Sequence, residues 1–374
     1  MARRGENIYK RKDGRWEGRY VKSRDKNGKI IFGYVYARKY AELREKLTLK
    51  KMEYASGIDQ QNLYKGTVSE WMNYWLDYLM AKKIKASTYA NYRGRLKKHI
   101  NPYFDEILLT DLTTAKVEEF IHHLIALGLS AKSVHCIINI LKSAIRKAVM
   151  EELLIKDPCA GVILPRLKKT SVSALTKIEQ ERLEQVAWRE VECSPVILSL
   201  YTGMRIGEIS ALRWRDIDFT ANIISVEHTL QRIMISEGEE RRTKVIISQP
   251  KTGTSQRALP LAKNLKNYLL EKKQSSTSEF VISCKDGYAE PRLINYRFKK
   301  LLEAARIESV NFHALRHTFA TRCVEEGVDI ATLSKLLGHT SIKLTLDTYT
   351  DSMWENRQKA VSLLDKRIKR GSAA

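Results

Sequence analysis

Twice along this chain a threonine is followed three residues later by a glutamate, just where a polar or proline-containing stretch gives way to helical periodicity. The two sites are Thr67-Val-Ser-Glu70 and Thr176-Lys-Ile-Glu179. In such a box the hydroxyl and the carboxylate each accept a backbone N–H that the first helical turn leaves without a partner, so the pattern marks a helix start. A break precedes each one. The first follows the polar stretch Ser56–Gly66, and the second follows Lys156–Ala174, which contains Pro158, Gly161 and Pro165. A chain of 374 residues has room for two or three cores. The two restarts divide it into residues 1–55, 67–155 and 175–374.

The first segment carries the hairpin dipeptides Asp13-Gly14 and Asn27-Gly28. Strands are predicted near Ile8–Lys10, Arg15–Lys22 and Ile30–Tyr36, followed by a helix over Arg38–Tyr54 with Tyr40, Leu43, Leu47 and Tyr54 on one face. The second segment reads as four helices. The first opens at Thr67 with Trp71, Tyr74, Trp75, Tyr78 and Leu79 as a core stripe, and the second is capped by Ser87. The third and fourth lie near Ala115–Leu127 and Ala131–Glu151. The last segment is mixed, with strands from Asn222 to Pro260 between helices. The expected fold is therefore multidomain α+β: a small three-stranded sheet with a helix, a helical domain, and a mixed, mainly helical domain.

The formal charge of +23 exceeds what solubility needs. It points to a polyanionic partner, since each neutralised phosphate releases condensed counterions. An anionic membrane surface competes as a partner. No apolar run is long enough to span a bilayer, and the opening Met-Ala-Arg-Arg-Gly lacks the apolar part of a secretory signal, so a cytoplasmic protein is expected. Five cysteines, an odd number without a CxxC pair, read as reduced thiols. Residues 1–55 hold 17 lysines and arginines against 7 acidic residues. Strand alternation there puts Arg15 and Arg19 on one face, and the second helix of the next segment carries Arg93, Arg95, Lys97 and Lys98. These basic faces are candidate DNA contacts; the plain alternative for both is a solvated surface.

Breaking and rejoining a phosphodiester without a metal demands fixed cationic donors on the phosphate oxygens, a nucleophile that stores the bond energy, and an acid for the departing sugar oxygen. The last segment offers such a set. Arg205 stands at a turn entering a helix, with Glu208 one turn later to steady it. Gln249–Pro260 is a hairpin-like segment with Lys251 near its tip. His313 and Arg316 share a helix face, Gly338-His339 closes a further helix, and Tyr349 follows. His313 and His317 also have the spacing of a zinc pair, but no third ligand is evident.

In this order and at these spacings the segments resemble the tyrosine recombinases, the integrases of phages and conjugative transposons. The resemblance covers nearly the whole chain. It implies an arm-type DNA-binding domain in 1–55, a core-binding domain in 67–155 and a catalytic domain with a C-terminal tail in 175–374. It implies that Arg205 and Arg316 clamp the scissile phosphate and that Lys251 protonates the leaving 5′ oxygen. His313 would help move the tyrosine proton, His339 would hydrogen-bond the phosphate, Tyr349 would form a 3′-phosphotyrosyl link, and Glu208 would support. No metal or nucleotide cofactor is implied. The implied partners are double-stranded core and arm sites, a homotetramer exchanging the segment Met353–Lys366, and an accessory excisionase, all in a bacterial cytoplasm. Many relatives carry histidine two residues after the nucleophile, where this chain has Asp351. A non-catalytic DNA-binding regulator on the same scaffold and a type IB-like topoisomerase are the alternatives.

Overall fold

The structure, a computed structural model, describes residues 7–24, 29–54, 63–167, 174–192, 194–234, 243–248, 256–284, 287–349 and 361–362. It divides into two compact units, Met1–Lys168 and Lys169–Ala374. In the first, β1 (Ile8–Lys10), β2 (Trp16–Arg24) and β3 (Ile30–Ala37) form an antiparallel sheet in that order, with Ile8 opposite Gly18 and Trp16 opposite Ala37. α1 (Tyr40–Tyr54) lies on it and buries Leu43 and Leu47 against Ile8, Tyr20 and Ala37. The pleat sends Gly18 and Tyr20 to this core and Arg19 away from it. Gly33 has to lack a side chain, because a Cβ there would sit 2.4 Å from the Tyr20 ring. Tyr40, expected in the core, stays partly exposed and meets Trp16 edge-on at 5.0 Å.

The rest of this unit is helical. α2 (Val68–Tyr74) opens on the complete Thr67–Glu70 capping box and runs into a widened π turn, Trp75–Met80. α3 (Ala86–Arg95) passes through a second π turn, Leu96–Ile100, into α4 (Asn101–Phe104). α5 (Thr114–Ala126) and α6 (Ala131–Met150) are capped by Thr113 and Ser130. Two expectations are corrected. Lys85, with extended backbone, is the cap of α3, and Ser87 falls inside the first turn. The aromatic stripe also divides. Its buried face is centred on Trp71, Met72, Trp75 and Leu76, so Tyr74 and Tyr78 fall at its edge, exposed and stacked on each other. The stretch after Lys156, read as linker, packs at first onto these helices: Cys159 and Val162 join their core, and the His135 ring pairs with the Pro165 carbonyl. Cys136, Cys159, Cys284 and Cys323 are free thiols.

In the second unit α7 (Lys177–Ala187) opens on the complete Thr176–Glu179 box. α8 (Pro195–Thr202) and α9 (Ile206–Ala211) lead to β4 (Ile217–Asp218), β5 (Ile223–Val226), β6 (Thr229–Met234), β7 (Thr243–Ser248) and β8 (Arg257–Pro260). β5 pairs with β4 and β8, while β6 pairs with β7. Val226 faces Arg257 and Thr229 faces Ser248 in these pairings. The tip of the hairpin-like segment expected over Gln249–Pro260, Lys251 included, lies outside the described residues. α10 (Lys263–Gln274), α11 (Pro291–Ala304), α12 (His313–Glu325), α13 (Ile330–Leu337) and α14 (Ile342–Tyr349) complete the unit. α12 is stitched to the start of this unit. The Thr318 hydroxyl accepts the Leu175 N–H at 2.9 Å, and Arg322 donates to the Leu175 carbonyl at 2.7 Å. Among the described residues no helix is long and apolar enough to cross a membrane.

The helical core of the first unit hangs on Trp71, fully buried with its indole N–H donating to the Ala144 carbonyl at 2.9 Å. Trp71→Ala is expected to cost about 3–5 kcal/mol. The check is a lower urea midpoint followed by far-ultraviolet circular dichroism.

Candidate active site

Six side chains, at the start of α9, on β8 and α12 and in the loop after α13, converge in the second unit. α8 is apolar and ends at Gly203, whose φ of +64° turns the chain sharply. A Cβ there would also meet the Phe319 ring at 2.5 Å. The turn leaves Arg205 just before α9. Its backbone N–H donates to Glu208 Oε2 at 2.9 Å and its Nη1 to Oε1 at 2.8 Å, so Glu208 closes the first turn and aims the guanidinium together. Glu208 is itself buried, and Arg257 on β8 donates to both its oxygens, at 2.9 and 3.3 Å. Arg257 Nε reaches the Leu336 carbonyl at 2.7 Å.

Arg316 on α12 is 2% exposed. It donates from Nη1 to the Gly203 carbonyl at 2.8 Å and from Nη2 to the Leu337 carbonyl at 2.6 Å. Those carbonyls end α8 and α13, where the helix dipole concentrates negative charge. His313 opens α12 one turn before Arg316 and meets His317 edge-on, ring centroids 4.9 Å apart. Gly338, at φ +63°, ends α13 and delivers His339, whose Nδ1 pairs with the buried Thr345 hydroxyl at 2.8 Å. Tyr349 is the last residue of α14. Lys251, Asp351 and most of the segment Met353–Lys366 lie outside the described residues.

The charges follow from this packing. Burial pushes the Glu208 carboxyl up, but the Arg257 hydrogen bond and the charges of Arg257 and Arg205 outweigh it, leaving the group below the usual carboxylate range. His313 is pushed down to about 4 by loss of solvent, then by His317, Arg316 and Arg205. His339 is likewise pushed down to about 4 by burial, then by Arg316, Arg205, Arg257 and His313. At neutral pH the site thus holds charged guanidiniums beside uncharged imidazoles. Such a site can grip a tetrahedral oxyanion.

The structure brings together Arg205, Glu208, His313, Arg316 and His339 of the expected set. Arg257 was missed, although alternation along β8 places it on the face of the buried Leu259. Among the basic residues singled out earlier, Arg93 turns inward to Asn73, Asp77 and Tyr89. Arg95 is half-buried and Lys97 exposed. Arg15 pairs with Asp13 at 2.8 Å, and Arg19 lies 4.2 Å from the Phe32 ring centre. Among the described residues, no third His, Cys, Asp or Glu joins His313 and His317 as a metal group.

A base whose folded pKa lies below its unfolded value of about 6.5 adds stability that is complete above that value and drains as pH falls through the interval down to the folded pKa. For His313 and His339 that interval ends at about 4. Glu208, held low, acts in the same direction further into acid. The melting temperature of the second unit is expected to fall from neutral pH to about pH 5. The His313→Gln, His339→Gln double variant is expected to flatten that fall, and a flat profile in the unaltered protein would contradict the assignment.

Residues 165–355 match a family model described as the phage integrase family, and residues 67–125 match one described as the phage integrase N-terminal SAM-like domain. A protein named tyrosine recombinase XerC-like, from Caldanaerobacter subterraneus subsp. tengcongensis, is 28% identical over 374 residues, covering 91% of this chain and 93% of its own. The Tn1549 transposon integrase, solved in complex with a circular intermediate DNA, superimposes with a TM-score of 0.67 at 19% identity, over 79% of this chain and 99% of that one. A lambda integrase tetramer bound to a Holliday junction gives 0.58 at 22% identity, over 90% and 96%.

Proposed function

The chain belongs to the phage integrase family, and from that premise we propose that it is a site-specific tyrosine recombinase that integrates and excises a mobile element. The observation that carries this reading is the convergence of Arg205 and Arg316, far apart in sequence, beside two uncharged imidazoles near the helix that ends at Tyr349.

In the proposed reaction the Tyr349 oxygen attacks the scissile phosphorus. The bond to the 5′ oxygen breaks and a 3′-phosphotyrosyl link forms. Arg205 and Arg316 hold the non-bridging oxygens as charge gathers on them. A free tyrosine ionises near pH 10, so it needs a base. His313, uncharged at neutral pH, helps move its proton and binds the phosphate. Lys251 supplies a proton to the departing oxygen. His339, its Nδ1 engaged by Thr345, has Nε2 left to face the phosphate. The bond energy stays in the phosphotyrosine, so the reverse attack by a DNA hydroxyl reseals the strand and, between duplexes, passes through a Holliday junction.

In the same reading residues 1–55 bind distal arm sites, with Arg19 on the sheet face away from α1 and Arg15 just before β2. Residues 67–155 and 175–374 bind the core site, with Arg95 and Lys97 supplying phosphate contacts. Four copies assemble on DNA in the bacterial cytoplasm, an accessory excisionase joins for excision, and the segment after Tyr349 docks on a neighbouring copy.

On duplex DNA from the element's ends, nicked near the crossover to trap cleavage, a denaturant-resistant adduct mapping to Tyr349 is expected, and it should be absent from Tyr349→Phe. Tight binding without an adduct would favour a regulator, and adducts spread over any sequence would favour a topoisomerase. Crosslinking through the segment Met353–Lys366 in the DNA complex is expected to join subunits; purely intramolecular products would remove the exchange.

A further inference from the structure

We infer that Arg257 is a positioning residue for strand cleavage: by gripping Glu208 and the end of α13 at once, it sets Arg205 and His339 against the same phosphate. This rests on the recombinase reading of the site. Arg257 has 5% of its side chain exposed, so it acts through its neighbours instead of touching DNA. Its fork spans two elements. Nη1 and Nη2 meet the two oxygens of Glu208 on α9, and Nε meets the Leu336 carbonyl three residues before His339. The Glu208 carboxylate in turn holds both the backbone N–H and the guanidinium of Arg205. One planar group thus fixes the spacing between the residue before α9 and the residue after α13. A lysine, with a single ammonium, could reach one of these elements but could not hold both in a plane.

Stability alone is a poor reason for this pair. A buried ion pair gains little over apolar residues of the same volume, because both charges lose their water. Its value here lies in geometry. Glu208 has to be ionised to hold Arg205, and the charged groups around it are Arg205 from α9, Arg257 from β8 and, across the site, His313 from α12. Without Arg257 the carboxyl keeps the burial that pushes it up and loses its strongest opposing partner.

The test compares the full chain with Arg257→Met and Arg257→Lys on the same nicked duplex, measuring DNA binding, melting temperature and single-turnover adduct formation from about pH 6 to about pH 9. Arg257→Met is expected to bind DNA as the unaltered chain does, to cleave roughly a hundredfold more slowly at the acid end, and to recover only in part, to the lowered rate of Arg257→Lys, as pH rises and Glu208 ionises. The unaltered chain should show no such limb. Arg257→Lys should lose the limb but keep a lowered rate, since it restores the charge and not the fork. Unchanged rates in both variants, or a loss in Arg257→Met that is the same at every pH, would overturn the inference. If Arg257→Met fails to fold, Arg257→Lys decides: a lowered rate at full binding supports the role, and a full rate overturns it. Absence of any adduct from the unaltered chain would instead strike the recombinase reading, and the inference would fall with it.

Discussion

Glu208 and Arg257 are two opposite charges taken out of water together, with 3% and 5% of their side chains exposed. Burying them costs several kcal/mol for each ion before attraction and hydrogen bonds offset it. The offset needs both oxygens of the carboxylate and the plane of the guanidinium to be in place, so the pair tolerates little displacement. Everything that touches it inherits that intolerance. Arg205 is aimed by the same carboxylate, and the end of α13 is held by the same guanidinium. The precision of the site comes from an interaction that contributes little net stability.

Arg316 repeats the device with backbone in place of a carboxylate. Its Nη atoms bind the last carbonyls of two helices, which carry partial negative charge and have no further turn to bond to. Satisfying them also draws Gly203 and Leu337 toward one point, and Arg205 and His339 each follow two residues later in the chain. Burial first, and then the accumulated positive charge, keep the nearby imidazoles from taking protons. The arginines thus add to what burial does to the histidines as well as fixing their location.

Local chemistry was legible in the sequence. Both capping boxes hold because each involves four consecutive residues whose hydrogen bonds close on themselves. The order Arg205, His313, Arg316, His339, Tyr349 was legible as a pattern, and the structure brings the first four side chains together. Ser87 was misjudged because Lys85 supplies the extended backbone a cap needs, with no side-chain hydrogen bond to announce it. The two π turns were invisible to a reading based on regular periodicity, and a face centred one position over left Tyr74 and Tyr78 outside. Arg257 was passed over because its partners Glu208 and Leu336 lie far away in the chain and only folding brings them near.

Leu175 lies near the start of the second unit, and its attachment there has a mechanical consequence. Leu175 is bonded through both its N–H and its carbonyl to α12, the helix that carries His313 and Arg316. A pull arriving along the residues before Leu175 is therefore delivered to that helix rather than dissipated in a loose terminus.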